Sequence, residues 1–111
     1  LLEKVFFNLV ENSFIHGQGV TEISLTYRES MDGMTIVLTD NGVGIESEQK
    51  SRIFEQGGGK SSGLGLFLAR EILSITGITI RETGEAGKGV RFELLIPKGA
   101  YRFAEPPQKT R

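Results

Sequence analysis

Two stretches of helical periodicity, each closed by glycine and followed by a pair of strand-like segments, limit how this 111-residue chain can fold. Leu2, Val5, Phe6, Leu9 and the small Ser13 recur at three- and four-residue spacing, so they share one face of a helix that Gly17 and Gly19 end. Residues 21–27 alternate, with Ile23, Leu25 and Tyr27 on one side; a turn over 29–33 leads to a second strand at 34–39, and the two read as a hairpin. Further on, Leu64, Leu68, Ile72 and Ile75 form a stripe on a helix over 63–76, stopped by Gly77. Strands at 78–82 and 90–96 follow, around a turn at 84–89. Between these halves, 47–54 predicts a short helix. Residues 56–62, with three consecutive glycines and no apolar anchor, predict a mobile loop suited to act as a lid. The economical architecture is α+β: helices on one face of a mostly antiparallel sheet.

At this length, with 38% hydrophobic and 24% charged residues, the chain builds one core. No apolar run approaches a membrane span and no signal segment opens the chain, which points to the cytosol. The absence of cysteine excludes disulfides, thiolate zinc sites and cysteine nucleophiles. A formal charge of -1 gives no electrostatic reason to expect nucleic acid. The start at Leu1, inside a helical pattern without a cap, predicts a piece of a longer protein. Residues 1–98 are expected to form the domain and 99–111, which include Pro106-Pro107, a frayed tail.

Three groups of residues carry candidate chemistry. Asn8 and Asn12 sit four apart on one helical face, and His16 continues the line. A carboxamide oxygen is a neutral hard ligand that suits one position of an octahedral magnesium whose other ligands are phosphate and water oxygens; two asparagines also simply solvate an exposed face. Asp40 ends a strand ahead of Asn41-Gly42-Val43-Gly44-Ile45. Its carboxylate can accept a hydrogen bond from an exocyclic amine such as that of adenine, while the glycines let backbone approach a ligand closely. The alternative is hairpin punctuation, although no alternating partner strand follows Ile45. Gly63-Leu64-Gly65-Leu66 opens a helix, offering amide donors and a positive dipole end to phosphate oxygens, with Lys60 and Ser62 just before it. Close packing through small residues is the other use of such a run. A Walker loop fails because Phe54 stands where it needs glycine, and a dinucleotide fingerprint fails at Leu68.

Taken in order, these segments resemble the catalytic ATP-binding domain of sensor histidine kinases, in the superfamily shared with gyrase, the MutL mismatch-repair ATPases and the ninety-kilodalton heat-shock chaperones. Asn8-Leu9-Val10-Glu11-Asn12-Ser13 resembles the N box and Asp40 through Ile45 the G1 box. Ile53-Phe54-Glu55 resembles the F box and Gly63 through Leu66 the G2 box, and the likeness runs to Lys98. The resemblance implies a two-layer, Bergerat-type α/β sandwich: a mixed, mostly antiparallel sheet covered on one face by about three helices, here shortened at its N-terminus. It implies ATP and magnesium as cofactors, Asn12 as the metal ligand, Asp40 on the adenine amine and Ile45 beside the base. Phosphates fall to Lys60, Ser62 and the Gly63–Leu66 amides, with Asn8, His16, Gly42 and Gly44 completing the nucleotide-facing set.

Hydrolysing members of the superfamily place a glutamate where this chain has Asn8, and asparagine cannot serve as that base. The resemblance therefore implies ATP held for a histidine on an upstream dimerisation domain, and through it a response regulator, with Asn8, Asn12 and Lys60 as the catalytic set. The implied domain is monomeric by itself, within a full-length homodimer that is cytosolic or membrane-anchored. An ATPase or serine kinase of the same superfamily is the second expectation, and a non-catalytic regulatory module the third. The chain departs from the pattern at Ile15, where a basic residue is common, at Val90, where threonine is common, and at Gln56-Gly57-Gly58-Gly59, which lacks a second phenylalanine.

Overall fold

The computed structural model describes residues 2–55 and 64–98. Helix α1 (Leu2–His16) leads to an antiparallel hairpin of β1 (Ile23–Ser30) and β2 (Gly33–Asp40). A 3-10 turn at Ser47–Gln49 follows, then helix α2 (Leu64–Ile75) and a second hairpin of β3 (Thr79–Glu82) and β4 (Arg91–Pro97). The hairpins join through β2 and β4, giving the sheet order β1-β2-β4-β3. Each of these pairings is antiparallel, so the described residues contain no parallel component of the expected mixed sheet. Two α-helices and the short 3-10 turn make up the helical layer among the described residues.

Alternation in the strands puts Ile36 and Leu38 of β2, Ile80 of β3 and Phe92, Leu94 and Ile96 of β4 on the helix side, where they meet Val5 and Leu9 of α1 and Leu66, Ala69 and Leu73 of α2. Gly17 closes α1 by donating to Ser13 O at 2.8 Å, and the chain leaves the helix through left-handed Gln18 and Gly19. Gly77, with φ of 81°, does the same for α2 while Ile78 N donates to Leu73 O at 3.0 Å.

Three expectations change. The buried stripe of α2 runs through Leu66, Ala69 and Leu73 rather than through the expected Leu68, Ile72 and Ile75: Ile72 is half-buried, while Leu68 and Ile75 are 43% and 77% exposed; the side chain of the expected Leu64 lies outside the described residues. The helix is apolar nearly all round, so periodicity alone cannot choose its inner face. Residues 47–54 form a 3-10 turn and a run of i→i+3 bonds, among them Arg52 N to Gln49 O at 2.9 Å and Glu55 N to Arg52 O at 3.0 Å, in place of an α-helix. On β1, the inner-face residues Leu25 and Tyr27 are 58% and 71% exposed, because the helical layer covers β2, β4 and β3 but stops short of that edge. The expected tail, 99–111, lies outside the described residues, as does the expected lid at 56–62. No helix among the described residues is long and apolar enough to cross a membrane.

Candidate functional site

Asp40 is the last residue of β2 and is buried beside the end of the second hairpin. Its Oδ1 accepts two backbone hydrogen bonds, from Gly42 N at 2.9 Å and from Val90 N at 3.0 Å. Its Oδ2 is also buried yet has no partner among the described residues. A buried acceptor left unmade costs about 1–3 kcal/mol, so a ligand donor that reaches Oδ2 recovers that cost on binding. The two amides hold the carboxylate plane from the protein side and aim its free oxygen elsewhere. An exocyclic amine is such a donor; a ring carbonyl at the same place is not.

The loop after Asp40 is packed on three sides. Asn41 turns outward, accepts from Thr21 N at 3.0 Å and Glu22 N at 3.2 Å, and donates to Thr21 Oγ1 at 2.8 Å. Val43 N donates to Gly17 O at 3.0 Å, which fixes the loop to the end of α1. Gly87 N donates to Val43 O at 2.6 Å, so the β3–β4 loop lies over it. A side chain at Gly42 would meet Gly17 O at 2.5 Å, and one at Gly44 would meet Glu85 O at 2.8 Å. In the described structure, both glycines are therefore required by loop-against-backbone packing. Gly89, with φ of 98°, sits so tightly over the Asp40 backbone carbonyl that no Cβ fits there.

Helix α1 supplies the next group. Asn8 lies among its buried residues with Leu9 and Ser13, not on the solvated face that its spacing suggested, because α1 packs against α2 as well as against the common core. Its Nδ2 is buried without a partner among the described residues. Asn12, one turn on, is half-buried, and so is His16 at the helix end, the residue before the Gly17 carbonyl that holds Val43. Ile45 is half-buried and packs against the core. At the start of α2, a Cβ at Gly65 would meet none of the described residues within 4 Å, while the Leu66 side chain is spent in the core, leaving only its backbone for a ligand. Leu64 opens the helix; Lys60, Ser62 and Gly63 lie outside the described residues. Among the described residues no group of three or more histidine, cysteine or carboxylate side chains could hold a metal ion.

The profile of the family described as histidine kinase-, DNA gyrase B-, and HSP90-like ATPase matches residues 1–100. The chain belongs to this family. It is 40% identical to the alginate biosynthesis sensor protein KinB of Pseudomonas aeruginosa over 86% of its length, and 31% identical to the sensor-like histidine kinase SenX3 of Mycobacterium tuberculosis over all of it. It spans only 17% and 30% of those two relatives. Among solved structures it is similar to the ATP-binding domain of PrrB from Mycobacterium tuberculosis, with a TM-score of 0.73 and 28% identity, covering 86% of this chain and 65% of that one. The α+β fold described above is thus that of histidine kinase ATP-binding domains.

Sequence reasoning missed part of this family member's candidate site. Val90 counted as a departure because of its side chain, whereas its backbone N–H is what reaches Asp40. Gly89 and the brace made by Asn41 were also overlooked. An Asx residue following a strand end is a recognisable local signal for the brace; a contact fifty positions along the chain leaves none.

Proposed function

We propose that this domain binds magnesium ATP and presents the γ-phosphoryl group to a histidine elsewhere in the same full-length protein, in two-component signalling through a response regulator. The observation that carries the reading is the half-satisfied Asp40: one carboxylate oxygen saturated by Gly42 and Val90, the other buried, without a partner among the described residues and suited to the adenine amine. Asn12, half-buried on α1, would add one carboxamide oxygen to a magnesium ion held mostly by phosphates and water. When bound, magnesium neutralises charge on the phosphates. Lys60, Ser62 and the amides from Gly63 to Leu66 would hold the phosphate oxygens, and His16 and Ile45 would flank the nucleotide. In the transfer, an imidazole nitrogen bonds to the γ-phosphorus as the bridging P–O bond breaks and ADP leaves.

Asn8 favours transfer over hydrolysis, because a carboxamide cannot take a proton from water as a glutamate would. Calorimetric titration with ADP and with inosine diphosphate, which has a carbonyl where adenine has its amine, tests the site. Tighter binding of ADP by about tenfold or more is expected from one hydrogen bond to a charged acceptor. Equal affinities would overturn the assignment of Asp40.

A further inference from the structure

We propose that the ion pair between Lys50 and Glu82 is a positioning clasp for the nucleotide site. It rests on the reading of Asp40 as the base-binding carboxylate and adds two residues that touch neither nucleotide nor metal. The Glu82 side chain, at the end of β3, is 1% exposed; Lys50, just after the 3-10 turn, is 25% exposed, and Nζ lies 2.5 Å from Oε1. The same ammonium donates to Gly84 O at 2.5 Å. Oε2 of Glu82 accepts from Gly84 N at 3.2 Å and from Arg91 N at 3.0 Å, so one carboxylate grips both ends of the β3–β4 loop. Oε1 makes no directional hydrogen bond among the described residues, and the Lys50 ammonium is its compensation.

That loop is the one that completes the Asp40 site. Arg91, held by Glu82, follows Val90, whose amide holds Asp40 Oδ1. Within the loop, Gly87 holds Val43, and the carbonyls of Glu85 and Gly89 cover Gly44. From the other side, Lys50 stands four residues before Phe54, whose ring meets Phe92 edge-on at 6.2 Å, and Phe92 is the cross-strand partner of Glu82. The segment after the 3-10 turn is therefore fastened to neighbouring positions of one hairpin by a ring contact and by a charge.

A buried ion pair adds little net stability over an apolar pair of the same volume, but removing one partner leaves an uncompensated buried charge. What this pair supplies is position: an ammonium paired by charge with the Glu82 carboxylate and hydrogen-bonded to the Gly84 carbonyl ties two segments together, where apolar side chains could slide. Without Lys50, the buried Glu82 charge is left uncompensated and the Gly84 carbonyl loses its donor, and a shift of residues 84–89 that relieves them draws Val90 N away from Asp40.

The test uses the natural full-length protein, ADP calorimetry and thermal melting. Lys50→Met is expected to raise the ADP Kd about tenfold while far-UV circular dichroism stays native. Glu82→Gln alone, and Lys50→Met with Glu82→Gln, are expected to raise it to about the same extent as Lys50→Met, since a clasp broken at one end loses nothing more when broken at the other. Lys50→Gln, which keeps a donor for Gly84 O, is the second variant if Lys50→Met does not fold, with a rise of about threefold or more expected. A pair that is merely structural would lower the melting temperature and leave the ADP affinity of the folded variants unchanged; that result overturns the clasp, as does a double variant whose loss is the product of the single losses. Absence of ADP binding by the wild type overturns the Asp40 reading and the clasp with it.

Discussion

Asp40→Asn separates the two jobs of this carboxylate. In the native site Oδ1 accepts from Gly42 N and Val90 N, while Oδ2 is buried and has no partner among the described residues. An asparagine can keep its single oxygen on those two amides, since they demand an acceptor, and its NH2 then occupies the position of Oδ2. The fold should tolerate the change within about 1 kcal/mol, because both protein hydrogen bonds survive. The adenine amine, however, now faces a donor. Losing a hydrogen bond to a charged acceptor costs about 1.5–3 kcal/mol, equivalent to about 10- to 150-fold in Kd. A base with a carbonyl at that position should meet the new NH2 favourably, so the ratio of ADP to inosine diphosphate affinity should fall or invert. Calorimetric titration of both nucleotides, with a urea melt of each protein, makes the comparison. Wild-type ADP affinity in Asp40→Asn, or equal losses for the two nucleotides, would refute the account of Oδ2.

Other perturbations follow from the same geometry. Gly89→Ala forces a Cβ against the Asp40 carbonyl at a left-handed φ, and should lower stability by more than about 2 kcal/mol in denaturant melts. Leu73→Ala in the buried stripe of α2 should cost about 2–5 kcal/mol and Leu68→Ala less than about 1 kcal/mol; the reverse order would show that the helix face is wrongly assigned. Asn12→Ala should weaken ATP binding in magnesium and leave binding in excess chelator unchanged; an unaltered magnesium dependence would remove its ligand role.

Helices and hairpins were legible where period and punctuation agree. Val5, Leu9 and Ser13 face the core of α1, and Ile80, Phe92, Leu94 and Ile96 alternate inward. The inner face of α2 was not legible, since Leu64, Leu66, Phe67, Leu68, Ile72, Leu73 and Ile75 offer more than one apolar stripe and only the packing partner chooses between them. Strand β1 shows the same limit in another form: Leu25 and Tyr27 alternate like core residues, but their exposure depends on how far the helical layer reaches. At the site, Asp40, Gly42 and Gly44 drew attention through local sequence. What the glycines pack against did not, because Gly17, Glu85 and Gly89 come from distant segments. Lys50 and Glu82, thirty-two positions apart, gave no signal, for a lone charge in a polar stretch reads as solvated until its partner is seen buried.

The fate of the γ-phosphate tests the central claim most directly. The full-length protein incubated with magnesium and γ-labelled ATP should become labelled on a histidine, with an acid-labile, base-stable bond, and Asp40→Asn should reduce that labelling in step with its loss of ADP affinity. Release of the label as inorganic phosphate in multiple turnovers, with none retained on protein, would contradict the account and identify the domain as a hydrolase.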